Sequence, residues 1–331
     1  MDFERLTLEN ESEILALLQD VWPRLYGATG CPQFSADYLR WLYGGPDCSR
    51  HLLLGCREKG RLVGLKAYLS RDLLLDGQAR SASLSTHLTI RPDLDPASRL
   101  AIAAELSRLH PLTNDGAHDQ RDALLAFFEG NKTLVRNITR MAMQQKLNLV
   151  SLPFTQAIVN VRKVNAAAAE FDNVSVRQIQ LAGVREMVSR LLSIAPESQL
   201  VWCPTNAMRI HHLSQAPGSL VLIAENDQGQ VDGLLGGYRM DWLKNGSVTQ
   251  MFIIESLITS GTATSAKLLA EAAQYSAMQG FRGVVIENST MIEAADARRL
   301  GIMPTQREMI LAVRSRLPLP DPIKSFSLDV K

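Results

Sequence analysis

The chain has 331 residues, 46% of them hydrophobic and 21% charged, with a formal net charge of +1. That length is comfortable for two domains, and the apolar share supplies sizeable cores. Near-neutrality excludes a bulk field drawing in nucleic acid or an anionic membrane, and no apolar run reaches the roughly 20 residues of a membrane-crossing helix.

Residues 3–9 alternate as a short strand, and Glu11 to Leu25 carries Ile14, Leu15, Leu17, Leu18, Val21 and Trp22 at helical spacing, with Pro23 ending or kinking the helix. Ser35 is an N-cap for a second helix through Tyr43, stopped by Gly44-Gly-Pro46. A meander follows: 51–56, 62–69, 73–75, an Asp76-Gly77 hairpin turn, then a strand at 83–90. Arg91 to Pro96 is a loop, 97–109 a helix and 123–128 a buried-type strand; a helical piece at 132–141 and apolar strands over 147–161 close the half. Asn165 to Glu170 is a short helix or a connector.

The second half repeats this order. A strand at 174–179 and a helix at 181–194 precede strands at 220–224, 231–240 and 247–258. Next come the small residues Thr259-Ser-Gly-Thr-Ala-Thr-Ser-Ala266, a helix at 267–279, a strand at 281–287, a further helix and Leu300-Gly-Ile-Met-Pro304. The fold class expected is α/β, of the α+β mixed-sheet kind, in two tandem domains at 1–164 and 165–331.

The stretch 248–313 carries the chemistry. A strand that ends in small residues at a helix N-terminus leaves unpaired N–H groups open to a phosphate. This order resembles the acyl-CoA-binding half of a GCN5-related N-acetyltransferase (GNAT), and the weaker copy near the N-terminus makes the chain similar to tandem GNAT proteins. In that family the fourth strand bonds the pantetheine arm, and an Arg/Gln-x-x-Gly-x-Gly/Ala loop cradles the pyrophosphate. The match places Ser260 at the Arg/Gln position, Ala263 at the first glycine and Ser265 at the Gly/Ala, followed by Ala266-Lys-Leu-Leu269. The resemblance implies acyl-CoA as co-substrate, held by Leu257, Ile258, Ser260, Gly261, Thr262, Ala263, Thr264 and Ser265. Gly280-Phe-Arg-Gly-Val-Val-Ile-Glu-Asn288 is similar to the family's splayed fifth strand. Ala297-Arg-Arg-Leu-Gly-Ile302 resembles its Tyr-x-x-Leu-Gly-Phe ending, with Ala297 in place of the tyrosine that protonates the thiolate. In the first half, Leu88 to Leu100 matches the loop with Asp95, Pro96, Ser98 and Leu100 at its Arg and Gly positions; Asp93 and Asp95 oppose a pyrophosphate there, while Arg91 and Arg99 favour one.

Three side chains stand out for catalysis. Glu255, in an otherwise apolar strand, is either a general base tuned by burial or a salt-bridged carboxylate. His87 occupies the comparable place in the first half and serves as a base or as a hydrogen-bonded strand histidine. Asn288 orients substrate at the strand end or caps the next helix. Glu287 is a weaker base candidate, because the strand alternation leaves the opposite face open to it, and Tyr238 and Tyr275 read as packing. His211-His212 are adjacent and do not converge on one ion, so no metal is expected. Cys31, Cys48, Cys56 and Cys203 lack CxxC spacing and read as reduced thiols; with no signal-peptide core in Met1-Asp-Phe-Glu-Arg5, a cytoplasmic protein is expected.

The expected activity is transfer of an acyl group from acyl-CoA to the amine of a small molecule, without nucleic-acid or membrane partners. Two rivals stand beside it. One is an acyl-carrier-protein-dependent transferase or thioester decarboxylase, with Arg282, Arg298, Arg299 and Arg307 as a docking patch. The other is a non-catalytic acyl-CoA sensor or scaffold.

Overall fold

The computed structural model describes residues 1–46, 48–75, 78–109, 121–129, 139–140, 142–144, 146–179, 199–202, 207–319 and 325–327. The helices expected at 132–141 and 181–194, the 76–77 turn and Cys203 lie outside these residues, apart from the helical residues 139–140.

The first half begins with β1 (Asp2–Leu6), α1 (Glu11–Tyr26), β2 (Cys31–Pro32) and α2 (Ala36–Tyr43). Ser35 caps α2 as expected, accepting from the Tyr38 N–H, and Pro23 sits in the last turn of α1 without ending it. The meander is β3 (Leu52–Glu58), β4 (Arg61–Leu75) and β5 (Gln78–Ile90). The two pieces read as 62–69 and 73–75 form one strand, because Ser70, Arg71 and Asp72 stay in the ladder opposite Ser83, Ala82 and Ser81. α3 (Pro96–Arg108), β6 (Ala123–Glu129), β7 (Asn148–Val159) and α4 (Val161–Ala168) follow. The second half contributes β8 (Val174–Gln178), β9 (Gln199–Trp202), α5 (Ala207–Gln215), β10 (Leu220–Asn226), β11 (Val231–Lys244) and β12 (Ser247–Thr259). It ends with α6 (Thr262–Met278), β13 (Val284–Ile286), α7 (Ala294–Arg299), β14 (Ile302–Ser315) and β15 (Ser325–Ser327).

One mixed sheet joins the halves in the order β1-β3-β4-β5-β6-β14-β7-β13-β12-β11-β10-β8. Two of its parallel pairs, β5 with β6 and β12 with β13, hold equivalent places in the two halves. The centre is an exchange. β14, the last long strand, pairs with β6 of the first half, and β7 of the first half pairs with β13 of the second. Packing crosses 164/165: Val164 lies within α4, buried in the same cluster as Leu268 and Leu269 of α6.

The central core sits on the face covered by α1 and α2. It gathers Leu17, Leu18, Leu39 and Leu42 from the helices, Leu65 and Leu84 from the first half, and Tyr238, Ile253 and Leu311 from the second. α3 packs on the opposite face of the first half through Ile102 and Leu106. α4 and α6 pack behind the second half, against Phe252, Ile254 and Leu257. Among the described residues no helix is long and apolar enough to cross a membrane.

Lys66 of β4 is buried under α3, donates to Ser107 Oγ at 2.9 Å and lies 5.0 Å over the Tyr68 ring. Burial first, and Arg314 second, pull its pKa down from 10.5 to about 8. The folded chain thus disfavours the charged form, fully below pH 8 and less as pH rises toward the unfolded value. Wild type should gain up to about 1.4 kcal/mol per pH unit relative to Lys66→Met between pH 8 and 10. Urea melts across that range check this; a constant difference between the two proteins would refute it.

Candidate functional site

Each half carries an irregularity where its parallel pair opens. In the first half the pairing of β5 with β6 ends at Ser85 opposite Ala126. Just beyond, the β4–β5 register slips, so that His87 and Leu88 oppose the single residue Lys66. In the second half the pairing of β12 with β13 ends at Ile254 opposite Ile286, and the β11–β12 register slips to leave Glu255 as the extra residue. A bulge of this kind turns one side chain out of the alternation. His87 takes φ +52°, a left-handed conformation that a bulge imposes and a plain strand does not. The glycine pair Gly236-Gly237 permits the second bulge, because a Cβ on Gly237 would strike the Phe252 ring at 2.6 Å.

The two bulge residues have different surroundings. The Glu255 side chain is 1% exposed. One carboxylate oxygen accepts from Arg209 Nη1 at 2.6 Å, and the other lies 2.7 Å from His212 Nε2. Arg209 and His212 are three apart on α5 and therefore share one face of it. His212 packs between Trp41 and Trp202, with ring centroids at 4.3 and 4.7 Å. The Arg209 and Arg71 guanidiniums lie 4.6 and 3.9 Å from the Trp202 ring. Both carboxylate oxygens are engaged.

His87 is buried, but it lines a cavity of about 450 Å³. Its Nδ1 lies 2.7 Å from Tyr43 Oη. Burial pushes the Tyr43 hydroxyl well above its ordinary pKa, so it keeps its proton at any physiological pH. Trp22 and Phe34 pack edge-on against the imidazole, and Trp22 Nε1 donates to Thr89 Oγ1 at 2.9 Å.

The cavity lies between the halves. Phe127 and Phe128 come from β6, Gln156 from β7, Met240 and Trp242 from β11, and Ile253 from β12. Glu287, at the end of β13, lines it too and accepts from Tyr238 Oη at 2.9 Å. Burial and the neighbouring Glu287 carboxylate push the Tyr238 hydroxyl far above its usual pKa, which makes it the donor. The roof is the segment from α1 to α2, clipped to the other half where Cys31 and Pro32 pair with Leu243 and Trp242. Gly30, at φ +107°, allows that approach: a Cβ there would lie 2.3 Å from Trp242 Nε1.

Asn288 has its side chain committed elsewhere. It is fully buried, accepts from the Thr290 N–H and hydroxyl at 2.9 Å, and donates to the Phe326 carbonyl at 2.8 Å. It caps the 3₁₀ turn 289–291 and ties down β15.

The small-residue loop leads into α6 with Gly261 as N-cap and no side-chain cap. Leu257 and Ile258 pair with Leu235 and Leu234 on β11, and their other strand edge lies where β13 has diverged. The hydroxyls are engaged: Thr262 donates to Asp296, Thr264 to Asp232, and Ser265 bonds Thr259 and the Gly261 carbonyl. Ala263 lies between them in the first turn, and Ser260 Oγ is 3.4 Å from Thr264 Oγ1. In the first half the corresponding N-terminus is filled from within. Asp95 accepts from the Ser98 N–H, and Arg91 is tied to Asp20 and Asp93. Among the described residues no cluster of His, Cys, Asp and Glu has the grouping to hold a metal.

Sequence reasoning missed Arg209, Trp202 and the cavity wall. The Arg209-x-x-His212 spacing was a readable signal for one shared face. The aromatic wall had none, because at helical or strand spacing its members read as core.

No family model matches the chain, and no curated protein matches it. Solved structures do. Saccharomyces cerevisiae N-myristoyltransferase with bound myristoyl-CoA and inhibitors superposes with a TM-score of 0.66 at 12% identity, over 100% of this chain and 84% of that one. A probable N-acyltransferase from Enterococcus faecalis matches at 0.55 and 9%, over 93% and 72%. A GCN5-related glucosamine N-acetyltransferase region of a fungal multi-domain β-N-acetylglucosaminidase matches at 0.60 and 14%, over 94% and 38%. The chain shares the fold of these N-acyltransferase structures, in two halves.

Proposed function

We propose that this GNAT-fold chain transfers an acyl group from acyl-CoA to the amine of a small molecule, in the cavity between its halves. The observation that carries this reading is the cavity itself: strands from both forks line it, and the bulge residue His87 stands in its wall. The donor phosphates bind at residues 260–265, where the α6 N-terminus lacks a side-chain cap. The Asp95 carboxylate already fills the other loop. The pantetheine arm runs along the edge of β12 from which β13 has diverged, past Leu257 and Ile258, and brings the thioester to the bulge at Glu255. Backbone N–H groups there polarise the carbonyl. The acyl group enters the cavity beside Ile253 and Glu287.

The acceptor amine approaches from the His87 side. With Nδ1–H donated to Tyr43 Oη, the Nε2 lone pair of His87 takes the proton that the attacking nitrogen sheds. Glu255 holds the floor of the second fork through Arg209 and His212, and Asn288 holds its rim.

The carboxylates of Asp296 and Asp232 take the loop hydroxyls, leaving backbone N–H groups as the phosphate donors. Asp296→Asn removes a negative charge beside the pyrophosphate and should tighten acyl-CoA binding about five-fold, the equivalent of ~1 kcal/mol for a charge pair at water-like screening. Calorimetric titration of acetyl-CoA and longer acyl-CoAs into both proteins tests this. No binding to the full chain, and no loss with Ser265→Glu, would remove the loop assignment. The same acidic lining favours one rival, an acyl carrier protein as donor, since carrier-borne phosphopantetheine brings a single phosphodiester. Faster turnover with acyl-carrier protein than with acyl-CoA would select that rival.

A further inference from the structure

On the α3 face of the first half, Lys66 and Arg314 stand without a carboxylate partner among the described residues. Tyr68, Ser85, Ala126 and Ala312 lie opposite one another in a row across β4, β5, β6 and β14. Tyr68 donates to the Leu106 carbonyl, which puts the row on the face that α3 covers. Lys66 lies two residues before Tyr68 and reaches Ser107 of α3. Arg314 lies two residues beyond Ala312, opposite Leu124 of the α3 core. The pairings antiparallel, parallel and antiparallel leave β4 and β14 running the same way, so the two cations flank the row from opposite sides. The floor between them is made of small side chains, and the Ser85 hydroxyl bonds no other described residue.

Lys66 is 9% exposed and Arg314 half-buried, so both charges have lost water without gaining a counter-charge. Lys66 donates to a neutral hydroxyl. On α3 the Glu105 carboxylate is bonded to Arg108. Burial, and then the Arg314 charge, pull the Lys66 pKa down to about 8; burial lowers that of Arg314 as well and keeps the Tyr68 hydroxyl protonated. Like charges in a partly buried site are costly, and an anion between them offsets that cost.

We propose that Lys66, Arg314 and the Ser85 hydroxyl hold a phosphate dianion, free or as a phosphate monoester, on the face of the first half opposite the cavity. This site is independent of the acyl-transfer reading. A monocarboxylate neutralises one of the two charges, whereas a phosphate monoester carries about −1.5 to −2 near pH 7 and offers three acceptor oxygens. The guanidinium gives it a planar fork, and the ammonium a point charge. Arg314, the less buried of the two, marks the side open to solvent.

Inorganic phosphate, glycerol 3-phosphate, sulfate and acetate are titrated into the full chain by calorimetry, with chloride holding the ionic strength constant. The dianions should bind at least about ten-fold more tightly than acetate. Lys66→Met and Arg314→Gln should each weaken them at least about ten-fold, and Arg314→Lys should keep part of the affinity. Urea melts establish that each variant is folded. Ser265→Glu, which blocks the loop at 260–265, should leave sulfate binding here unchanged. Tighter binding of glycerol 3-phosphate than of inorganic phosphate selects a monoester as the ligand, and the reverse order selects the free ion. A proton readout ties the site to Lys66. At pH 8.5 sulfate does not titrate, yet its binding should take up a fraction of a proton, because a dianion beside Lys66 favours the charged amine. The dependence of the binding heat on buffer ionisation measures that uptake, and Lys66→Met should abolish it. Absence of saturable dianion binding, acetate binding as tight as sulfate, loss with Ser265→Glu in place of Lys66→Met, or binding without proton uptake would overturn the proposal.

Discussion

Glu255→Ala is expected to lower the unfolding free energy by about 3–5 kcal/mol, because it removes the buried carboxylate that Arg209 and His212 both bond. The loss comes from removing one partner of a buried charge and need not equal the net worth of the pair. Replacing Glu255, Arg209 and His212 together by apolar residues of similar volume should therefore recover most of it. Urea denaturation of the three proteins measures both quantities. The same residue decides a functional question. Glu255→Gln keeps the shape and removes the charge; if it lowers turnover steeply while the denaturation midpoint stays put, Glu255 is a base and the ion-centre reading fails.

His87→Asn should cost about 10²–10⁴ in kcat if the imidazole accepts the amine's proton. Asparagine tolerates the left-handed backbone that His87 adopts at the bulge, so the strand geometry survives the change. Acyl-CoA affinity should stay within about two-fold, because the donor is bound on the other half and the loss falls on the chemical step alone. Steady-state kinetics over pH 5–9, with calorimetry beside them, separate the cases. An unchanged kcat removes His87 from the proton path and turns attention to Glu287, a carboxylate in the cavity wall. A parallel fall in acyl-CoA affinity would instead mean that the bulge shapes the donor site.

Much of the fold was legible because local signals and tertiary structure agree. Ser35 starts α2, the apolar spacing of 11–25 makes α1, and the small residues 259–266 lead into α6, each from interactions within a few residues. The correspondence of His87 and Glu255 was readable from element order alone, and both residues sit at a register slip where a parallel pair opens. The direction of Glu287 was not readable. A strand end sets only an alternation, and the break after Ile286 ends that alternation just before Glu287. Arg307 was read as part of a docking patch because nothing in 302–315 marks the irregularity between Pro304 and Glu308 that accompanies its place in the cavity wall.

By itself the sequence determined the two repeats, their strand–loop–helix order and the small-residue loop, since propensity, capping and hydrophobic period act over short range. Tertiary structure alone decided three things: the exchange of β7 and β14 between halves, the closing of Glu255 into an ion centre by α5, and the joining of Trp22, Phe127, Trp242 and Glu287 around one cavity. Each depends on partners tens to hundreds of residues apart along the chain. Strand pairing across that distance follows from which edges and faces remain unburied once both halves have formed, and no local pattern encodes it.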